Sequence, residues 1–129
     1  MNTYLASAAA LTFLVGLVHS IMGERWVFSR MRQGQLVPTN GGTVLRQPHV
    51  RILWASWHVL TVLGWGVAGT LLLLASEPAS SALHTSLLHV VALSMLAGAA
   101  LVFYGTRARH PGWLGLLGVA VLTWLGTGQ

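Results

Sequence analysis

The hydrophobic positions of the chain fall into four apolar runs, at about 3–22, 52–75, 82–104 and 113–126, separated by polar or turn-rich stretches. A helix needs roughly 20 apolar residues to cross about 30 Å of hydrocarbon. The first three runs meet that length. The fourth reaches it only by borrowing Pro111-Gly112 and the Thr127-Gly128 end, and is read as a span tilted little or set in locally thinned bilayer. With a helical continuation past Met22, the expected spans are about 3–26, 52–75, 82–104 and 112–127. One long connection is expected, a loop over 29–49 on the cytoplasmic side. Short connections elsewhere make helices run up and down, so the expected architecture is all-α, a transmembrane antiparallel four-helix bundle in a single domain.

The polar stretches punctuate this pattern. Pro38-Thr39-Asn40-Gly41-Gly42 is a turn signal flanked by the β-prone stretches Leu36-Val37 and Thr43-Val44-Leu45. A small hairpin, a short interfacial helix and a solvated tether all fit it. In the connection 76–81, Ser80 or Ser81 is placed to cap the third helix by accepting from a free backbone N–H. Between the last two runs, His110-Pro111-Gly112 gives a turn with proline at the helix entry.

Charge orients the helices. Only 7% of the 129 residues are charged and 54% are hydrophobic, against roughly 25% charged in soluble domains. All seven basic residues are arginine. Arg25, Arg30, Arg32, Arg46 and Arg51 lie between the first two runs, and Arg107 and Arg109 between the last two. The connection 76–81 carries Glu77 instead. Cytoplasmic loops are enriched in basic residues, so both termini are expected on the outer face, an N-out/C-out chain in a cytoplasmic membrane. The net charge of +5 is then a topology signal rather than a mark of nucleic-acid binding. The partners expected are the lipid bilayer and another membrane protein. With no cysteine, disulfides, thiolate metal sites and thiol catalysis are excluded. The N-terminal run has no basic n-region and is longer than a signal-peptide core, so it reads as an uncleaved first helix.

Within this apolar frame the costly residues stand out. His19 lies about one turn inside the end of the first run, and His58 about two turns inside the start of the second. Ionisable residues at membrane depth are expensive and point to a function or a partner. At 1.5 Å per residue the two depths agree within roughly one turn, so the imidazoles of neighbouring antiparallel helices can face each other. Glu24 is five residues past His19. On an ideal helix that is a rotation of about 140° and a rise of about 7.5 Å, so it joins His19 only if the helix unwinds at Gly23, whose missing side chain would allow this.

Three chemistries fit. In the first, His19 and His58 ligate a b-type haem from its two faces, Arg25 and Arg51 pair with the propionates, and nearby tryptophans line the macrocycle. In the second, His19, His58 and Glu24 hold a divalent metal ion, a set suited to zinc or non-haem iron with an open position. In the third there is no cofactor. The histidines hydrogen-bond each other, Ser20, Ser56 or Thr61, and Glu24 pairs with Arg25 or Arg51, so that polar groups in lipid are satisfied internally. His89 on the third run is expected to bond a carbonyl or a neighbour near Ser94. His49, His84 and His110 are expected to be solvated.

The pattern His19-Ser20-x-x-Gly23-Glu24-Arg25, followed by Arg51-x-x-Trp54 and Trp57-His58-x-x-Thr61, resembles a family of small uncharacterised bacterial four-span inner-membrane proteins. The likeness covers mainly the first two spans. It implies a bacterial cytoplasmic-membrane location and no particular activity. Three functional readings therefore stand: a haem- or metal-binding membrane protein, a structural or accessory subunit whose histidines are internal hydrogen-bond partners, and a lipid-handling enzyme whose arginines hold a phosphate head group while His19 or His58 acts as base.

Overall fold

A computed structural model describes residues 1–33, 45–78 and 81–128. Those residues are helical and contain no strand. Helix α1 runs Thr3–Gln33, α2 Gln47–Ser76, α3 Ala82–Gly105 and α4 Gly112–Gly126. The first three are long and apolar enough to cross a membrane. The fourth has 15 residues, about 22 Å at the helical rise, and is the shorter apolar element. The outlying turn signal at 38–42 and Ser80 lie outside the described residues.

The first two helices are longer than the apolar runs implied. The first passes through Ser29–Gln33, a stretch expected to be loop, and the second begins at Gln47 rather than near residue 52. Hydropathy marks where a helix leaves an apolar medium and not where its hydrogen bonding ends. Arg30, Arg32 and Gln33 are good helix formers on an already nucleated helix. At the start of α2, Pro48 occupies the first turn, where its missing N–H costs nothing. The Arg46 N–H donates to His49 Nδ1 at 3.2 Å.

The residues divide into two compact units, one made of Met1–Val15 with Gly64–Gln129 and the other of Gly16–Leu63. The first unit holds the apolar core: Leu5, Ala8, Ala9, Leu71, Ala75, Leu88 and Val119 are all buried. Small residues let its backbones approach closely, as membrane helices generally require. A methyl group on Gly126 would meet Leu5, one on Gly118 would meet Leu11, and one on Gly115 would meet Val15. Asn2 ties three helix ends together. Its Nδ2 donates to the Gly126 carbonyl at 2.8 Å, its backbone N–H to the Ala75 carbonyl at 2.7 Å, and its Oδ1 accepts from the Tyr4 and Leu5 N–H groups. Trp65 finds a partner here, stacking on Phe13 at 5.2 Å and donating to the Phe13 carbonyl at 3.2 Å.

Three histidines of the remaining chain depart from their expected settings. His84 is buried, at 8% exposure, in the turn that Ser81 caps by accepting from its backbone N–H at 3.1 Å. His89 packs its ring against Trp124 at 4.9 Å. His110 turns back on its own loop, where Nδ1 accepts from the Gly112 N–H at 3.1 Å. The turn before it is tight enough to hold Arg107 and Ala108 at φ 52° and 61°, a left-handed conformation that few non-glycine residues adopt. The outward surfaces are strongly apolar. Leu73 and Leu101 are 72% and 73% exposed, the pattern of helices whose solvent is lipid and not water.

Candidate functional site

The cluster of interest lies wholly within the unit Gly16–Leu63. It is organised by a defect in α1. Over Gly23–Phe28 the helix widens into a π-helical stretch, and the Ser29 N–H donates to the Glu24 carbonyl five residues back. Single π turns inside α-helices are frequent at functional sites. Here the local cause is visible. A methyl group on Gly23 would lie 2.1 Å from Trp57 Nε1 and 2.6 Å from its Cε2, so only glycine admits the indole against the backbone. Trp57 uses that access to donate from Nε1 to the His19 carbonyl at 3.1 Å. Its ring lies flat on the His19 imidazole, with centroids 4.3 Å apart and planes 7° from parallel.

The next residue of α2, His58, is held by Ser20. The Ser20 hydroxyl hydrogen-bonds His58 Nδ1 at 2.8 Å and the Thr61 hydroxyl at 2.8 Å. Thr61 in turn donates to the Gly16 carbonyl at 3.3 Å. The chain Gly16–Thr61–Ser20–His58 thus closes within the unit. Of the hydroxyl partners expected for the histidines, Ser20 and Thr61 take part, and Ser56 is exposed instead.

Glu24 collects the rim. Its carboxylate accepts from Arg32 on Oε1 and from the Trp54 indole N–H on Oε2 at 3.0 Å. His58 Nε2 stands 3.9 Å from Oε2 and makes no hydrogen bond among the described residues. The ion-pair partner is therefore Arg32, and neither Arg25 nor Arg51. Glu24, Phe28 and Arg32 recur every fourth residue, a helical stripe that becomes legible only once α1 is known to continue beyond Phe28. The widened turn changes the angular offset along the helix and brings Glu24 beside His58. The His19 ring is covered by Trp57.

Phe28, buried at 3% exposure, floors the cluster. It meets Trp57 edge-on at 5.8 Å and lies 6.2 Å from the His58 ring. Trp54 meets His58 edge-on at 4.7 Å. Beside this floor opens a cleft of about 160 Å³ lined by Phe28, Arg32, Val50, Arg51 and Trp54.

The arrangement gives the metal and haem readings no support. Among the described residues no three histidine, aspartate or glutamate side chains gather around a common point that could hold a metal ion. His58 and Glu24 approach each other to 3.9 Å, and both Glu24 oxygens already accept hydrogen bonds. A catalytic zinc site uses three protein ligands. For haem, the cleft is smaller than the roughly 300–1,000 Å³ of ordinary cofactor pockets. Its lining includes Arg51 but neither His19, His58 nor Arg25, and Arg25 is exposed.

Comparison of the chain with protein-family models, with curated proteins and with solved structures returned no match. The site is therefore interpreted from its own geometry.

Proposed function

We propose that the chain is a structural or accessory protein of a bacterial cytoplasmic membrane, an antiparallel four-helix bundle with both termini outside, in which His19 and His58 are internal partners and not ligands. The observation that carries this reading is the closed hydrogen-bond chain from the Gly16 carbonyl through Thr61 and Ser20 to His58 Nδ1. In lipid, polar groups must find partners within the protein, and this chain provides them for the Ser20 and Thr61 hydroxyls and for His58 Nδ1 without a cofactor, while His58 Nε2 faces Glu24 at 3.9 Å. The order of packed pairs along α1 and α4, from Leu5–Gly126 to Val15–Gly115, supports the antiparallel arrangement. The accessory role is supported by α2. Gly66 and Gly69 are exposed, with no atom within 4 Å of where a methyl group would stand. That thin strip is the kind of surface against which a second membrane helix packs closely.

The test is a visible spectrum and elemental analysis of protein purified from its own membrane in mild detergent. The expected preparation is colourless, carries no stoichiometric metal, and contains a second membrane protein at fixed ratio. A Soret band or one equivalent of bound metal would replace this reading with the cofactor one, and a strictly monomeric preparation would remove the accessory role.

A further inference from the structure

The unit Gly16–Leu63 is far from electroneutral. It contains Arg25, Arg30, Arg32, Arg46 and Arg51 but one carboxylate side chain, Glu24. The other acidic residue of the protein, Glu77, follows the far end of α2. Glu24 is committed to Arg32 and Trp54. Arg51 is exposed and has no carboxylate partner among the described residues. It nevertheless lines the cleft together with Arg32, over a floor of Phe28, Val50 and Trp54. Phe28 and Val50 are each 3% exposed. The cleft therefore joins two guanidinium groups to an apolar floor.

We propose that this cleft holds the phosphate of an anionic glycerophospholipid, with the glycerol and first acyl carbons against Phe28, Val50 and Trp54. Three arguments select this occupant. Guanidinium groups bind phosphate oxygens with paired, charge-assisted hydrogen bonds. The cytoplasmic leaflet supplies anionic head groups, and basic residues near its surface are drawn to them. The apolar run of α1 over Thr3–Met22 is 20 residues long, about 30 Å, which matches the hydrocarbon thickness. Phe28 and Arg32 on the same helix then stand just beyond it, at head-group level. A soluble phosphate ester would meet the same guanidinium groups but has no use for the apolar floor. This inference is independent of the accessory role.

The full-length protein is reconstituted in bilayers of phosphatidylcholine and phosphatidylglycerol, extracted gently, and the retained lipid is read by native mass spectrometry. The wild type is expected to retain phosphatidylglycerol in preference to phosphatidylcholine. Arg51→Gln is expected to lower that preference about tenfold, the equivalent of losing one charge-assisted contact. Arg51→Lys, which keeps the charge and loses the paired geometry, is expected to fall between them. Arg109→Gln, in the other arginine-bearing connection, is expected to match the wild type. Circular dichroism and monodispersity confirm that each variant compared is folded. The proposal is overturned if folded Arg51→Gln and Arg51→Lys both retain lipid as the wild type does. It is equally overturned if Arg109→Gln loses as much as Arg51→Gln, which would show a diffuse charge effect, or if inorganic phosphate alone displaces the bound lipid, which would show a soluble-anion site.

Discussion

Gly23 is the residue on which the cluster turns. Its backbone is where Trp57 enters, and the π-helical stretch begins there. Gly23→Ala places a methyl group 2.1 Å from the indole nitrogen, so either the indole or the helix must move. Overpacking of this kind costs about 1–3 kcal/mol. Alanine would otherwise favour a helix over glycine by roughly 1 kcal/mol, so destabilisation is a sign the steric term wins. Thermal unfolding in detergent is expected to show a lower midpoint for Gly23→Ala, and indole fluorescence a changed Trp57 environment. An unchanged or higher midpoint would mean that the close approach is not stabilising. The histidines illustrate how far residue type alone leads. His19 and His58 were recognisable as costly residues needing partners. That one would stack on Trp57 and the other bind Ser20 depends on which faces meet, and sequence spacing along separate helices does not contain that.

At the scale of elements, the glycines divide into two classes that the sequence shows as one. Gly115 and Gly126 on α4 lie against Val15 and Leu5, so that an added methyl group would come within 2.6 and 2.4 Å of a side-chain carbon. Gly66 and Gly69 on α2 have open space around them. Alanine at either α4 position is expected to lower the unfolding midpoint. Alanine at Gly66 or Gly69 is expected to leave it unchanged or raise it, by up to about 1 kcal/mol of helix propensity, in the isolated protein. The same unfolding measurement on all four variants checks the contrast, and a uniform response would contradict the packing described. Element boundaries carry a similar lesson. The apolar runs located each helix, since roughly 20 apolar residues define a span. They misplaced the ends of α1 and α2, because Ser29–Gln33 and Gln47–Arg51 remain helical after hydropathy has fallen. Phe28 and Arg32 were lost from the candidate site for that reason.

For the molecule as a whole, the arginine distribution makes a topological claim that the absence of cysteine renders easy to test. A single introduced cysteine is a unique reporter in a chain with none. With the positive connections inside, Glu77→Cys is expected to react with a membrane-impermeant maleimide in intact cells. Arg46→Cys is expected to react only after the membrane is permeabilised. Labelling in the opposite pattern would invert the orientation, and with it the leaflet to which the Arg32–Arg51 cleft is exposed.

The sequence by itself determined the class of molecule. Apolar run length, scarcity of charge and the grouping of arginines are one-dimensional quantities, and they govern partitioning between lipid and water. They sufficed for four helices, of which three are of spanning length and the fourth, expected as a span, is a shorter apolar helix, and for His19, Glu24 and His58 as the residues that need an explanation. The tertiary structure decided the pairings. Glu24 goes to Arg32 and Trp54 and comes beside His58, because a π-helical turn opened by Gly23 changes its angular position. Trp57 covers His19, and Ser20 takes His58. Such choices follow from angular phase and close approach between helices. A change of one residue in hydrogen-bond register resets both, and hydropathy does not register it.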